Sequence, residues 1–296
     1  MHSHGSRIAR IKTTADHPSG MSVSRYGVVG RARTAGSGRI VWEESGGGFP
    51  VVLIHGLGND RTRWAGQVRA LSPHYRVITF DNMGHGESVK PPGPYDLGMF
   101  VDFLHELVVE IGLERFALVG FSLGALIAQT YVLTHPRRVA AIAILNAVHG
   151  RNEQQRGAVR ERGDRVEAGG PGATLDTSIE RWYTAGFRRR RPDSIEETRR
   201  QILSNDRWAY AAAYRAFADS DPALDERIRG IDCPALVMTA ENDIGSEPEM
   251  SRRIASRIPG AKLEIVPHLQ HFAPMEDPEA YNRVLGPFLD EALGTA

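Results

Sequence analysis

Short continuous apolar runs alternate with amphipathic stretches along most of the chain. Pro50–Ile54 is a continuous apolar run, as expected of a parallel strand buried on both faces, and Arg76–Phe80, Phe116–Gly120 and Val139–Leu145 also read as strands. Arg39–Glu43 has strand character and ends at the turn Ser45–Gly48. Between these runs, Thr62–Leu71, Leu97–Gly112 and Ser122–Thr134 read as helices. In the second of them, Leu97, Val101, Leu104, Val108 and Ile111 recur at three- and four-residue spacing.

The alternation stops at Gly150. From there to Arg229 no Val/Ile-rich run occurs, only Arg-rich helical segments bounded by Gly and Pro. Thr177–Glu180 and Ser194–Glu197 carry the spacing of capping boxes and are expected to open helices. The rhythm then resumes with a strand at Pro234–Thr239, a helix near Glu247–Ile258, a strand at Lys262–Val266 and a final helix over Glu276–Leu293. The pattern predicts an α/β fold: a mostly parallel sheet with helices on both faces and a helical lid inserted over the carboxyl edge of its strands, where such sheets bind ligands. The expected units are a flexible tail over 1–20, a core over 21–149 that starts near Met21, a lid over 150–229 and a second core segment over 230–296.

Bulk properties narrow the function classes. At 296 residues the chain suits one α/β core with an insertion, and zero net charge gives no reason to expect a nucleic-acid partner. No run approaches the roughly 18 apolar residues of a membrane helix, and the polar first twenty residues lack the apolar core of a signal peptide. His2 and His4 read as part of the tail rather than as metal ligands. The single cysteine, Cys233, excludes a disulfide framework, fits a reducing, cytoplasmic setting, and reads as a structural thiol. The expected partner is a small molecule, with a homo-oligomer admitted.

Chemistry concentrates first in Gly120-Phe-Ser122-Leu-Gly124, between an apolar run and a helical one. A serine hydroxyl becomes a nucleophile when a sharp strand-to-helix turn presents it to a base, and that turn needs small residues two before and two after. In such an architecture serine, acid and histidine follow in that order. The acid is expected at the end of Pro234–Thr239, with Asp243 first and Glu241 as runner-up. The histidine is expected after Lys262–Val266, where both His268 and His271 stand. As an H-x-x-H pair these two lack a nearby third ligand, so neither a metal nor any other cofactor is expected. Two backbone N–H groups, of Leu57 in His55-Gly-Leu-Gly58 and of Leu123, are expected to form an oxyanion hole. His55 reads as a brace of that loop.

These motifs, with Asp81-Asn-Met-Gly-His-Gly-Glu-Ser88, resemble the α/β-hydrolase superfamily over residues 38–294. The resemblance implies the α/β-hydrolase fold and a serine hydrolase, and the spacing of His271 from Glu276-Asp-Pro278 selects His271 over His268. Asp243-Ile-Gly departs from the proline that many relatives place after the aspartate. Haloalkane dehalogenases and epoxide hydrolases are disfavoured, since they place aspartate where Ser122 stands. Within the superfamily, Tyr210–Ile228, leading into Cys233–Val237, and Pro248–Ala261 look most like the 3-oxoadipate enol-lactonase and aminoacrylate-hydrolase-like group.

In the lid, Ile179, Trp182, Tyr183 and Phe187 are expected to share one helical face, and Tyr210, Tyr214 and Phe217 another. Trp182, Tyr183, Phe187 and Tyr214 are the candidate pocket walls. Arg188–Arg191 reads as a solvated face, while one inward arginine would match a substrate carboxylate. The expectation is a metal-free enzyme cleaving a small ester or lactone, carboxylated if such an arginine exists. Carbon–carbon or amide hydrolysis, a cofactor-free perhydrolase or peroxidase, and a ligand receptor on the same fold are the alternatives.

Overall fold

The computed structural model describes residues 29–35, 38–220 and 224–294. The expected tail over 1–20, Met21 as the start of the folded part, and His2 and His4 lie outside them. Among the described residues eight strands form one sheet: β1 (Val29–Ala35), β2 (Gly38–Ser45), β3 (Pro50–Ile54), β4 (Arg76–Phe80), β5 (Phe116–Phe121), β6 (Val139–Leu145), β7 (Ala235–Ala240) and β8 (Lys262–Val266). Their spatial order is β1-β2-β4-β3-β5-β6-β7-β8. The first two form an antiparallel edge, and from β4 to β8 all pairs are parallel. β1 lies outside the strands expected from the sequence, the first of which was Arg39–Glu43.

The fully buried central strands explain the continuous apolar runs. Along β3, Val52 and Ile54 face one core and Val51 and Leu53 the other, the two-residue alternation of a pleated strand. The first core is covered by α2 (Leu97–Glu110) and α3 (Leu123–Thr134), through residues such as Leu104 and Ile127. The second is covered by Trp64, by Leu71 of α1 (Ala65–Leu71), and by Tyr281 and Leu285 near the carboxyl end of the chain. Cys233 is half-buried, and burial pushes its thiol up to about 11, in keeping with a structural role.

Between β6 and β7 the chain is helical: α4 (Glu153–Gly169), α5 (Leu175–Trp182), α6 (Ala185–Arg190), α7 (Pro192–Leu203) and α8 (Arg207–Asp219). Two expected helix starts are displaced. α5 begins at Leu175, continuing a 3-10 turn that opens at Pro171, so Thr177 lies inside it and its hydroxyl donates to Thr174 O. α7 begins at Pro192, whose fixed φ suits the first helical position, so Ser194 is also internal. A reciprocal capping box does occur at Asn152 and Gln155, opening α4.

The expected aromatic face over 179–187 is also broken. α5 ends at Trp182, Tyr183 is extended, and Thr184 caps α6, so Phe187 belongs to a different helix. After β7 come α9 (Pro248–Arg257), the short α10 (Ala273–Glu276) and α11 (Pro278–Leu293); the final helix expected from Glu276 starts at Pro278, and Glu276 ends α10 instead. Among the described residues no helix is long and apolar enough to cross a membrane.

Candidate active site

Five strands end at one place. The loop after β3 carries His55–Gly58, β5 runs into Ser122, β6 into Asn146, β7 into Asp243, and the turn after β8 into His271. Ser122 has φ 54° and ψ −115°, a strained conformation outside the common regions. Its N–H donates to Leu145 O at 2.9 Å, so the sheet ladder grips the residue until the chain turns into α3. The flanking glycines permit the turn: a Cβ on Gly120 would stand 2.3 Å from Gly124 O, and one on Gly124 2.1 Å from Ile54 O.

His271 Nε2 lies 3.2 Å from Ser122 Oγ, and His271 Nδ1 lies 2.7 Å from Asp243 Oδ2. Asp243 and Ser122 are both buried, and the ring of His271 packs on Phe121 at 5.1 Å between centroids. Burial alone would raise the Asp243 carboxyl. The adjacent His271 and the hydrogen bonds from His271, Asn146 and the Ser246 N–H outweigh burial and hold it below its usual value. An ionised Asp243 keeps the proton of His271 on Nδ1, which leaves the Nε2 lone pair toward Ser122. Chemically, this is a hydroxyl beside a base that a buried carboxylate orients.

The two rival residues fall elsewhere. Glu241 Oε2 accepts from the His268 N–H at 2.8 Å, and His268 is almost wholly exposed. Only His271 of the H-x-x-H pair reaches the serine.

Leu123 is the first residue of α3, so its N–H is one of the four without an intrahelical acceptor. Leu57 lines the same cavity as Ser122. Its peptide is held from the far side. His55 Nε2 accepts from the Asn82 N–H at 2.9 Å, so the ring proton sits on Nδ1 and is donated to Gly56 O at 2.8 Å. In a trans peptide the carbonyl and the next N–H point opposite ways, so fixing Gly56 O aims the Leu57 N–H away from His55. The loop lies close to the serine, since a Cβ on Gly56 would stand 3.1 Å from Ser122 Cβ. His55 therefore braces the loop, as its sequence context suggested. The motif beginning at Asp81 supports it in turn: Asp81 accepts from the Arg61 and Glu87 N–H groups and pairs with the Arg61 guanidinium at 2.6 Å.

Sequence reading missed Asn146 and Tyr281. Asn146 Nδ2 donates to Asp243 Oδ2 at 2.9 Å, and the Tyr281 hydroxyl donates to Asn146 Oδ1 at 2.8 Å. An asparagine just past an apolar strand was the only signal, and nothing local linked it to a tyrosine on α11.

A cavity of about 250 Å³ opens over the serine. Of the four aromatic candidates, Trp182 and Tyr214 line it. Tyr183 and Phe187 do not; they stack on one another at 5.1 Å, and Tyr183 meets Phe272 edge-on, so they pack behind the wall. Trp182 stacks on Phe272 at 4.4 Å and its carbonyl accepts from the Phe272 N–H at 2.9 Å. Glu276, behind His271, accepts from the N–H of Thr184 at 3.0 Å and from its hydroxyl. The helical insertion is thus tied to the turn that carries His271. Three arginines, Arg151, Arg162 and Arg181, also line the cavity.

Residues 50–278 match the family model for the alpha/beta hydrolase fold. Over 247 residues the chain is 31% identical to an (E)-2-((N-methylformamido)methylene)succinate hydrolase of Acinetobacter baylyi, covering 83% of this chain and 92% of that one. A thermophilic esterase from Thermogutta terrifontis, solved with malate bound, superposes with a TM-score of 0.81 at 30% identity, over 90% of this chain and 99% of that one. The enol-lactonase from Burkholderia xenovorans superposes with a TM-score of 0.82 at 26% identity, over 88% and 99%. The chain belongs to the α/β-hydrolase family. It is an enzyme of that family, with relatives named as hydrolases and esterases.

Proposed function

We propose that the chain is a serine hydrolase of small esters or lactones, with Ser122 as nucleophile, His271 as general base and acid, and Asp243 as the orienting carboxylate. The observation that carries this reading is the aligned pair of contacts through one imidazole, 3.2 Å to Ser122 Oγ and 2.7 Å to Asp243 Oδ2, beneath a cavity. His271 Nε2 takes the hydroxyl proton as Oγ bonds to the substrate carbonyl carbon. The carbonyl oxygen becomes an oxyanion that the N–H groups of Leu57 and Leu123 receive. Collapse of the adduct breaks the bond to the leaving oxygen, which takes the proton from Nε2. A water, deprotonated by the same nitrogen, then cleaves the acyl-enzyme and regenerates Ser122.

The insertion acts in this reading as a lid whose Trp182 and Tyr214 wall the acyl pocket. A space of about 250 Å³ suits a small substrate better than a long lipid. The names of the relatives point the same way, one being a hydrolase of a succinate derivative and another an esterase solved with malate. A single cysteine is in keeping with a cytoplasmic enzyme. The test is rapid-mixing kinetics with para-nitrophenyl esters of increasing chain length. A burst of about one nitrophenolate per enzyme, absent from Ser122→Ala, is expected, with kcat/KM falling beyond roughly eight acyl carbons. Turnover by Ser122→Ala at the wild-type rate would contradict it.

A further inference from the structure

The arginines of the cavity are not equivalent. Arg151 is buried: its Nη2 donates to Phe217 O at 2.5 Å and its guanidinium lies 4.6 Å from the centroid of the Phe217 ring. It holds the start of the insertion to the end of α8. Arg181 donates within its own helix, to Thr177 O at 3.2 Å and to Ser178 Oγ at 3.0 Å. Arg162 differs from both. Among the described residues it has neither a hydrogen bond nor an ion pair, although its neighbours on the outer side of α4 are paired: Arg156 and Arg160 with Glu153, and Asp164 with Arg215.

The inward placement of Arg162 follows from helical spacing. Gln155, Ala158, Val159 and Arg162 all line the cavity, at i, i+3, i+4 and i+7 along one face of α4. A half-buried guanidinium therefore faces the cavity beside two others, and among the described residues Glu247 is the only carboxylate on its walls. Burial pushes the Arg162 guanidinium below its usual value, and repulsion from Arg181 and Arg151 adds to that. A guanidinium held partly out of bulk water without an ion pair, as Arg162 is among the described residues, is unfavourable, and a bound anion removes the cost.

We infer that Arg162 is the receptor for a free carboxylate on the substrate, remote from the bond that is cleaved, with Arg181 and Arg151 supplying supporting positive field. The substrate class is thus an ester or lactone that carries a second, ionised carboxyl group. This rests on the serine-hydrolase reading, since it assigns the other end of the same pocket. The guanidinium offers a planar fork of donors that matches a carboxylate bidentately.

The test compares two shape-matched pairs that differ only in a carboxylate replaced by its primary amide. One pair is the para-nitrophenyl half-ester of adipic acid and the corresponding adipamic ester; the other is paraconic acid, a carboxylated butyrolactone, and its amide. In the wild type kcat/KM should favour the anion in at least one pair, on the order of 10–100-fold. Arg162→Gln should cut that ratio by about tenfold or more. Arg165→Gln, on the exposed side of the same helix, should keep it. No preference in either pair, or an undiminished ratio in Arg162→Gln, would overturn the assignment. If the amides are hydrolysed and Ser122→Ala abolishes that hydrolysis, the failure concerns the subsite alone. If the wild type cleaves none of the four compounds, the hydrolase reading fails instead. Calorimetric titration with succinate then decides the subsite: binding that weakens about tenfold or more in Arg162→Gln sustains it, and equal or absent binding overturns it.

Discussion

Asn146 Nδ2 and His271 Nδ1 converge on the same oxygen of Asp243, at 2.9 and 2.7 Å, while the other oxygen accepts the N–H groups of Gly245 and Ser246. Asn146 has φ 50°, and Tyr281 fixes which end of its amide faces the carboxylate. Four donors thus offset the burial of one charge. Asn146→Leu should cost about 1–3 kcal/mol of stability near neutral pH by removing one of them. Because the folded Asp243 titrates below its usual value, the stabilisation is complete above the unfolded carboxyl value and lost as pH falls through the folded one. Urea unfolding across that range should show the gap between wild type and variant closing in acid. A gap independent of pH would remove Asn146 from the support of the charge.

The turn around Ser122 predicts a graded response to glycine substitution. Gly124→Ala places a methyl group 2.1 Å from a backbone carbonyl, and the variant should fail to fold. Gly56→Ala meets softer neighbours, the Phe121 ring at 2.9 Å and Ser122 Cβ at 3.1 Å. It should fold and lose on the order of 10²–10³ in kcat, as expected when an oxyanion donor is displaced. Circular dichroism and steady-state kinetics on both variants separate the two effects.

His85 should make the protein sensitive to mild acid. Burial first, then the nearby His55, pushes its imidazole down to about 3, so it stays neutral in the folded state where an unfolded histidine takes up a proton. The unfolded state binds more protons between these values. Stability from this group is therefore complete above about pH 6.5 and declines toward about pH 3, with a slope approaching 1.4 kcal/mol per pH unit at most. His85→Gln should lose this dependence, so the difference in unfolding free energy between wild type and variant should shrink as pH falls. Parallel profiles would contradict the assignment.

The strands around the site were legible because parallel strands buried on both faces leave an unbroken apolar run, as in β3 and β6. Ser122 was legible because its strained turn requires glycines at fixed spacing, a local demand. The insertion was harder. The start of α5 depends on a 3-10 turn before it, and the break after Trp182 depends on Glu276, far along the chain, receiving Thr184. A helical wheel drawn through Phe187 could not anticipate that contact. For the same reason Tyr183 and Phe187 looked like pocket walls, whereas they pack behind Trp182 and Phe272. Asn146 and Tyr281 meet only through the packing of α11 on the sheet, and no sequence pattern couples them.

The most direct test of the central claim is mass spectrometry after treatment with a fluorophosphonate, a phosphorylating probe that needs an activated serine. The account predicts one adduct per chain, mapped to Ser122. Labelling should vanish in Ser122→Ala and slow on the order of 10⁴-fold or more in His271→Ala, with Asp243→Asn affected somewhat less. An adduct on another residue, or equal labelling in His271→Ala, would contradict the pairing of Ser122 with His271.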